Sequence, residues 1–137
     1  FRYRLNLAKT LAKGEVATVT MEYDGRFDGR EESPVYGIRF AAVENQGAVF
    51  LYPARWFPVN EYTADRYTMN LSVKAPAEFR VVSGGTETKA GDVTRFAFAQ
   101  PATHGSFAVV RADAPAETVA AEGVTSRTFF RTAGVAK

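Results

Sequence analysis

The side chains suited to catalysis are few, and their spacing matches none of the common catalytic motifs. The chain of 137 residues holds one histidine, His104, and no cysteine. A zinc site built from imidazoles needs two or three histidines, and the helical H-E-x-x-H pair needs two of them four residues apart. The composition therefore excludes a histidine-based zinc site and a cysteine nucleophile in this chain.

A serine–histidine–carboxylate triad is the remaining catalytic use for His104. None of the serines lies in the G-x-S-x-G turn that exposes a nucleophile. His104 belongs to the stretch Gln100-Pro101-Ala102-Thr103-His104-Gly105, which is typical of a polar surface turn. We therefore interpret His104 as a solvated loop residue, and the alternative is a catalytic base.

Paired glycines and paired carboxylates in this chain are typical of turns. Ser83-Gly84-Gly85-Thr86 stands between two alternating apolar runs and lacks the phosphate-binding pattern G-x-x-x-x-G-K-[ST]. We predict a hairpin turn there, with glycines that take positive φ. Glu31 and Glu32 follow Asp28-Gly29-Arg30, and no second acidic cluster is spaced to complete an oxygen cage around a cation. We interpret these carboxylates as solvated loop charges.

The overall composition is that of an ordinary globular domain. Hydrophobic residues make up 46% of the chain, charged residues make up 23%, and the net charge is +2. This small, scattered basic excess does not indicate a nucleic-acid partner, and no apolar run approaches the roughly 18 residues of a membrane span. The length fits one domain, which we assign to residues 1–137.

Alternation of apolar and polar residues with a period of two dominates the chain and predicts strands. Such runs lie at 1–7, 16–23, 35–43, 48–52, 67–73, 79–83, 86–88, 93–99, 106–110 and 125–131. Residues 114–122 are ambiguous, because a helical turn there competes with Pro115 and the β-branched Thr118-Val119 pair. We predict an all-β fold, an antiparallel β-sandwich of about seven to ten short strands.

The segment from Tyr52 to Glu61 differs from the alternating strands around it. It holds two prolines, the only tryptophan and a lone arginine. Ordering such an irregular loop costs entropy unless packing offsets that cost. We expect Trp56 and Phe57 to fill a gap between sheets while Arg55 pairs with a carboxylate. Pro58 is expected to direct the chain toward the next strand.

A second interpretation of this loop is a binding surface. Aromatic side chains form ligand platforms as well as cores. In this alternative the chain is an independent β-sandwich binding module that holds a peptide or a carbohydrate. Its platform would consist of Tyr52, Trp56, Phe57 and Tyr62.

Several motifs follow one another in an order that matches a known family. Ala54-Arg55-Trp56-Phe57-Pro58 precedes a strand at 68–73, a bend at Ala75-Pro76 and a turn at Val82-Ser83-Gly84. Upstream, Leu11 to Glu15 and Val19 to Gly25 are similar to an opening pattern of the form L..G....l.i.Y.G. Together these motifs, over about residues 5–110, resemble the N-terminal domain of the zinc aminopeptidases related to membrane alanyl aminopeptidase.

The chain departs from that family at several positions. Its Ala-Arg to Phe-Pro segment is one residue shorter than the family's A-R-R-A-F-P. Val59 stands at the family's cysteine, Glu61 at its aspartate, and Arg66 at its lysine. Many active members carry a Glu or Gln just before the Ala-Arg pair, which helps to hold the substrate's amino group. The corresponding residues here are Phe50, Leu51 and Tyr52, which implies relocated amine recognition or a divergent, inactive parent.

The resemblance implies a saddle-shaped all-β domain, without catalytic residues of its own, that packs on a following catalytic domain and shapes access to its cleft. The family's G-x-M-E-N and H-E-x-x-H motifs are absent from this chain. Zinc is therefore expected only in the following domain, and this chain is expected to hold no cofactor or metal and to cleave no peptide. Its partner would be that catalytic domain, and peptide substrate would be met only indirectly.

The first residue, Phe1 in place of Met, is typical of an excised or processed domain. With the resemblance, it favours an exported or cell-envelope location. The residues assigned to the structural corner or to an interface are Arg55, Trp56, Phe57, Pro58, Glu61 and Arg66.

Overall fold

The computed structural model of the chain describes residues 4–27, 39–60, 65–114 and 116–129. In this part, nine β-strands form three antiparallel sheets, and the one helical element is a short 3-10 turn, η1. The elements are β1 Ala41–Glu44, β2 Gly47–Phe50, η1 Pro53–Arg55, β3 Tyr67–Lys74, β4 Phe79–Ser83, β5 Thr86–Ala90, β6 Val93–Ala102, β7 Phe107–Arg111, β8 Ala116–Ala121 and β9 Val124–Phe129. The predicted all-β antiparallel fold is confirmed.

The four-stranded sheet has the order β1-β2-β7-β4. Ala41 lies opposite Phe50, and Phe50 lies opposite Phe107, so these three side chains share one face of the sheet. The β1–β2 turn ends at Gly47, whose φ is +144°. A Cβ atom there would collide with the backbone carbonyl oxygen of Val109. Glycine is therefore required where β2 approaches β7.

The three-stranded sheet has the order β3-β6-β5, with β6 at its centre. The alternation in β3 predicts Tyr67, Met69, Leu71 and Val73 on the inner face, and the burial pattern of the strand confirms it. Strands β5 and β6 are joined by a turn at Gly91-Asp92. Gly91 supplies the positive φ of that turn, +61°.

The hydrophobic core lies between these two sheets. Phe96 of β6 is 1% exposed and is the largest fully buried side chain among the described residues. On the opposite sheet, the rings of Phe50 and Phe107 stack with their centroids 4.5 Å apart. Because both sheets contribute to one cluster, they form a sandwich. The buried members of the cluster are Ala41, Phe50, Leu71, Val81, Phe96 and Phe107.

The hairpin turn predicted at Gly84-Gly85 is wrong. The strands on either side belong to different sheets, because β4 pairs with β7 whereas β5 pairs with β6. The glycines therefore carry the chain across the sandwich. Gly85 has φ +81°, and a Cβ atom on it would lie 2.7 Å from the backbone oxygen of Ala97. The expectation that a glycine here takes positive φ was correct, but the glycine is needed for the close approach to β6 and not for a hairpin.

The strands predicted within 1–7 and at 16–23 are also wrong for the residues described. Residues 4–27 form no strand, although Gly14 lies in a turn closed by the Glu15 amide and the Ala12 oxygen, 3.0 Å apart. Alternation shows that a segment has an apolar face, but a strand also needs a neighbour to accept its backbone hydrogen bonds. The described part of the chain places no such neighbour beside residues 16–23.

The stretch near residue 118, where the sequence left a helical turn and an extended conformation open, forms a strand. Strands β8 and β9 make a hairpin whose turn residues Glu122 and Gly123 both have positive φ, +49° and +78°. In a two-residue hairpin, a turn of this kind has a backbone twist that matches the twist of the two flanking strands. The β-branched Thr118 and Val119 favour this extended conformation. Residues 1–3, 28–38, 61–64, 115 and 130–137, and with them Glu31, Glu32, Glu61 and Tyr62, lie outside the described residues.

No helix in the described part of the chain combines the length and apolarity that crossing a membrane requires.

Candidate functional site: the Trp56 corner

The Trp56 corner comprises residues 51–58 and the groups that contact them. After β2, the chain turns through η1, in which the amide of Trp56 donates to the oxygen of Pro53 at 2.9 Å. Pro53 is buried at the first position of this helical turn, where a missing amide hydrogen is tolerated. Proline and the tight turn together aim the following aromatic side chains back toward the core.

Trp56 is half-buried and packs on the edge of the core. Its ring lies 5.8 Å from that of Phe50 and 5.2 Å from that of Phe107, both in edge-to-face geometry. The indole Nε1–H donates to the backbone oxygen of Gly105 at 3.0 Å. In turn, the backbone oxygen of Trp56 accepts a hydrogen bond from the Tyr23 hydroxyl at 2.5 Å. These contacts favour the structural-corner interpretation of this residue.

Phe57 is fitted closely against Gly105. Gly105 is buried with φ +112°, and a Cβ atom there would lie 2.6 Å from the Phe57 ring. On its other side, Phe57 meets Tyr67 of β3 at a centroid distance of 6.3 Å. The corner therefore joins the end of β2, the start of β3 and the loop before β7.

The loop before β7 is held to the corner by two hydroxyl groups. The Ser106 hydroxyl donates to the oxygen of Leu51 at 2.5 Å, and the Tyr67 hydroxyl donates to the oxygen of His104 at 2.6 Å. Sequence analysis did not identify Ser106, Gly105 or Tyr23 as part of this site. In each of these contacts the acceptor is a backbone oxygen, which every residue type provides, so the sequence carries no signal for the pairing.

Arg55 and Arg66 both lie on the rim and are exposed. The Arg55 guanidinium stands over the Phe40 ring, 5.2 Å from its centroid, in a cation–π contact. A carboxylate partner for Arg55 stays a prediction. Arg66 donates through Nη1 to the Thr103 hydroxyl at 2.9 Å. Pro58 is exposed at the exit of the corner.

His104 is not a freely solvated loop residue. Its ring lies 4.6 Å from the ring of Phe98, and Nε2–H donates to the backbone oxygen of Gln100 at 2.7 Å. Since that oxygen can only accept, Nε2 carries the proton in this contact. The Ser106 hydroxyl donates to a backbone oxygen as well. Both His104 and Ser106 therefore contribute to the packing of the corner, and their side chains do not hydrogen-bond to each other.

The aromatic residues proposed as a platform differ in exposure. Tyr52 is 41% exposed and meets Phe40 edge-on at 4.3 Å. Trp56 and Phe57 are half-buried against each other, with their ring centroids 4.6 Å apart. Such an arrangement presents edges rather than a continuous flat face to a ligand.

No set of three or more histidine, aspartate or glutamate side chains within the described residues is placed to hold a metal ion. Phe50, which occupies one of the positions where the resembled family places an amine-binding acid or amide, is buried in the core. Comparison of the chain with protein-family models, with curated proteins and with solved structures gives no match.

Proposed function

We propose that this chain is a non-catalytic accessory domain of an aminopeptidase-like zinc metallopeptidase, which packs on the catalytic domain and shapes access to its cleft. The peptidase part of the proposal comes from the order of sequence motifs. The accessory part is supported by the physical character of the four-stranded sheet. Zinc and the reacting groups would belong to the catalytic domain.

The observation that carries the proposal is one apolar row on the outer face of that sheet. Residues opposite one another in the register share a face, and the row next to the core row points away from the core. That outward row consists of Ala42, which is 3% exposed, and of Val49, Val82 and Ala108, which are half-buried. The next outward row includes the charged residues Glu44 and Arg80. An antiparallel sheet that faces water usually carries polar residues on its outer side. An apolar row of this kind suits a sheet face that is covered in part by another domain.

The position of the corner agrees with the resemblance as well. The Ala54 to Pro58 segment precedes β3, the bend at Ala75-Pro76 follows β3, and the crossing at Gly84-Gly85 follows β4. The segment, the strand and the bend follow the order expected for the family, whereas the position of its turn is here a crossing between two sheets. The agreement supports the proposal without testing the activity of the parent protein.

The first test reads the coding sequence that follows Lys137. A G-x-M-E-N motif, an H-E-x-x-H motif and a distal glutamate are the expected findings, since they supply the catalytic domain. A stop codon, or a following domain unrelated to peptidases, would contradict the proposal. The purified 137-residue chain is expected to give no turnover of a chromogenic amino-acid amide, with zinc or without it.

The second test addresses the covering of the outer face. In the full-length gene product, Val49→Lys places a charge in the apolar row and should loosen the docking of this domain, seen as faster proteolysis of the junction. Thr88→Lys, on the exposed strand β5, is the matched control and should leave the junction protected. Equal proteolysis of the two variants would argue against docking through this face.

The binding-module alternative is tested by the accessibility of Trp56, the single tryptophan. A platform residue should be quenched by acrylamide almost as fast as free tryptophan. The edge-to-face packing and the Nε1 hydrogen bond predict a several-fold slower rate. Fast quenching would favour the alternative in which this loop binds a peptide or a carbohydrate.

A further inference from the structure

Thr94 is the one buried polar side chain within the described residues, and its exposure is 5%. It lies on β6 in the same inward row as Phe96 and Phe98, because successive side chains of a strand alternate between its two faces. A hydroxyl group therefore stands where this strand otherwise directs aromatic rings into the core.

The Thr94 hydroxyl has no partner within the fold. No hydrogen bond joins it to another described residue. The hydroxyl oxygen is not sealed off, since no polar side-chain atom in the described part of the chain is both fully buried and unpartnered. Burying a hydroxyl without a partner costs stability, so a group of this kind requires an explanation. A ligand that reaches the hydroxyl supplies one.

Thr94 lines a cavity of about 160 Å³ at one end of the sandwich, which we call the end cavity. The bend at 75–77 and the turn at Gly91-Asp92 form its rim, while Phe79 and Val81 of β4 form its apolar wall. Val81 is itself buried, at 3% exposure. A cavity of roughly 150 Å³ is large enough to hold benzene. The end cavity therefore has room for an apolar group of about six carbon atoms.

The polar side of the end cavity carries an unbalanced positive charge. Lys89 also lines the cavity and lies directly opposite Thr94 in the β5–β6 ladder, so the two side chains are neighbours on the inner face. Lys89 forms no ion pair with a described residue. The other charged residue at the rim, Asp92, is balanced by Lys74, whose Nζ lies 3.0 Å from Oδ2. One ammonium group thus remains beside the unpartnered hydroxyl.

We propose that the end cavity binds a small monocarboxylate whose apolar body has about six carbon atoms. The Lys89 ammonium and the Thr94 hydroxyl both donate hydrogen bonds, and a carboxylate accepts from both. The apolar body of the ligand then packs against Phe79 and Val81. This site is separate from the Trp56 corner and from the outer row of the four-stranded sheet, so the inference goes beyond the proposed function.

The first test titrates the 137-residue chain with benzoate and follows its amide signals by NMR. Saturable shifts are expected at residues 75–81 and 89–94. Benzamide has the same ring and nearly the same shape without the charge, and it is expected to bind at least about tenfold more weakly. Shifts that do not saturate, or equal binding of benzoate and benzamide, would overturn the proposal.

The same chemistry occurs in a free acid and at the carboxyl terminus of a peptide, and N-acetylphenylalanine distinguishes the two sources. It carries a ring and a carboxylate on an amide group. Binding as tight as that of benzoate or tighter assigns the end cavity to a peptide terminus. Weaker binding assigns it to a free acid. Either result supports a carboxylate site, provided that benzoate binds more tightly than benzamide.

Two pairs of variants test the assigned donors. Lys89→Gln removes the charge and should weaken benzoate binding about tenfold, whereas Lys13→Gln, in the N-terminal turn, should leave it unchanged. Thr94→Val removes the hydroxyl and keeps the branched shape, so it should weaken binding about fivefold. Thr88→Val, on the opposite face of β5, is its control and should leave binding unchanged.

The stability of Thr94→Val provides an independent readout. Because the buried hydroxyl has no partner to lose, this variant should unfold at the same urea concentration as the unsubstituted chain or at a higher one. A lower urea midpoint would show that the hydroxyl is satisfied within the fold and would overturn the proposal. None of these results depends on the peptidase motifs, so failure here is distinct from failure of the proposed function.

Discussion

Two segments of this molecule have the same alternating pattern and reach different structures. Tyr67–Lys74 forms β3, pairs with β6 along its length, and buries Leu71 to 6% exposure. Residues 17–23 alternate just as regularly, yet they form no strand in the structure, and Val19 in their apolar row is 48% exposed. The difference lies in the neighbours, because β3 finds a long partner strand and the N-terminal segment does not.

Alternation of apolar and polar residues therefore shows that a segment has an apolar face, but it does not show which strand that segment pairs with. In β3, the apolar face meets Phe96 and the core, so burial and the hydrogen-bond ladder support each other. In the N-terminal segment, the same kind of face has no cover among the described residues. The following predictions test how far the two regions differ in stability.

The largest expected effect is at Phe96, opposite Leu71 in the β3–β6 ladder. Phe96→Ala should reduce the free energy of unfolding by about 3–5 kcal/mol, because it removes a fully buried ring and leaves a cavity. Met21→Ala, in the exposed N-terminal segment, should change the free energy of unfolding by less than about 0.5 kcal/mol. Urea denaturation followed by circular dichroism measures both. A cost at Met21 close to that at Phe96 would show that the N-terminal segment is buried in solution.

Glycine substitutions provide the next comparison. Gly105→Ala combines a positive φ with a collision against the Phe57 ring and should cost about 2–4 kcal/mol. Gly14→Ala in the N-terminal turn has φ +88° but open space around the new Cβ atom, so about 1 kcal/mol is expected. The denaturant midpoints of the two variants, each compared with that of the unsubstituted chain, give the ratio of the two stability losses. Equal costs would mean that the corner relaxes around the added methyl group.

A smaller effect is expected from the hydrogen bond between the indole and Gly105. Trp56→Phe keeps an aromatic ring but leaves the Gly105 oxygen without its donor, which should cost about 1–3 kcal/mol. Tyr23→Phe removes the hydroxyl that joins the N-terminal segment to the corner, and it should cost about 1 kcal/mol or less. Thermal unfolding monitored by circular dichroism is the readout. A larger loss for Tyr23→Phe would show that the segment is part of the cooperative fold.

The smallest effect concerns the acidity of Glu15. The Ala12 backbone amide and then the Lys9 ammonium lower the pKa of this carboxyl below its ordinary value. Because the folded pKa is the lower one, the turn at 12–15 is stabilised above the unfolded pKa and loses that stabilisation as the pH falls through the folded pKa. The carboxyl is exposed, so global stability should hardly change. An NMR titration of Glu15 is the measurement, and a pKa that is not lowered would show that the turn is open in solution.

Strand positions were largely predictable where alternation and a turn residue occurred together. Strands β3, β4, β6 and β7 lie close to the predicted runs. The pairing of strands was not predictable in the same way, since Gly84-Gly85 gives the same signal in a hairpin and in a crossing between sheets. Deciding between them requires knowledge of β7, which follows much later in the chain.

The candidate site was predictable in part for a similar reason. Composition alone separated the Trp56 segment from the strands around it. The partners of Trp56 were not visible, because the hydrogen bond to Gly105 spans 49 positions and that from Tyr23 spans 33. His104 shows the same limit, as a polar turn sequence gave no sign that its ring packs against Phe98.

The pairing of β2 with β7 has a consequence for the order in which the protein is made. Residues 48–50 must wait for residues 107–109 before the four-stranded sheet closes. All of the three-stranded sheet, from β3 to β6, is synthesised in between. Contacts between distant parts of a chain form slowly. During translation, the three-stranded sheet can therefore assemble first, while Phe50 has no stacking partner until Phe107 leaves the ribosome.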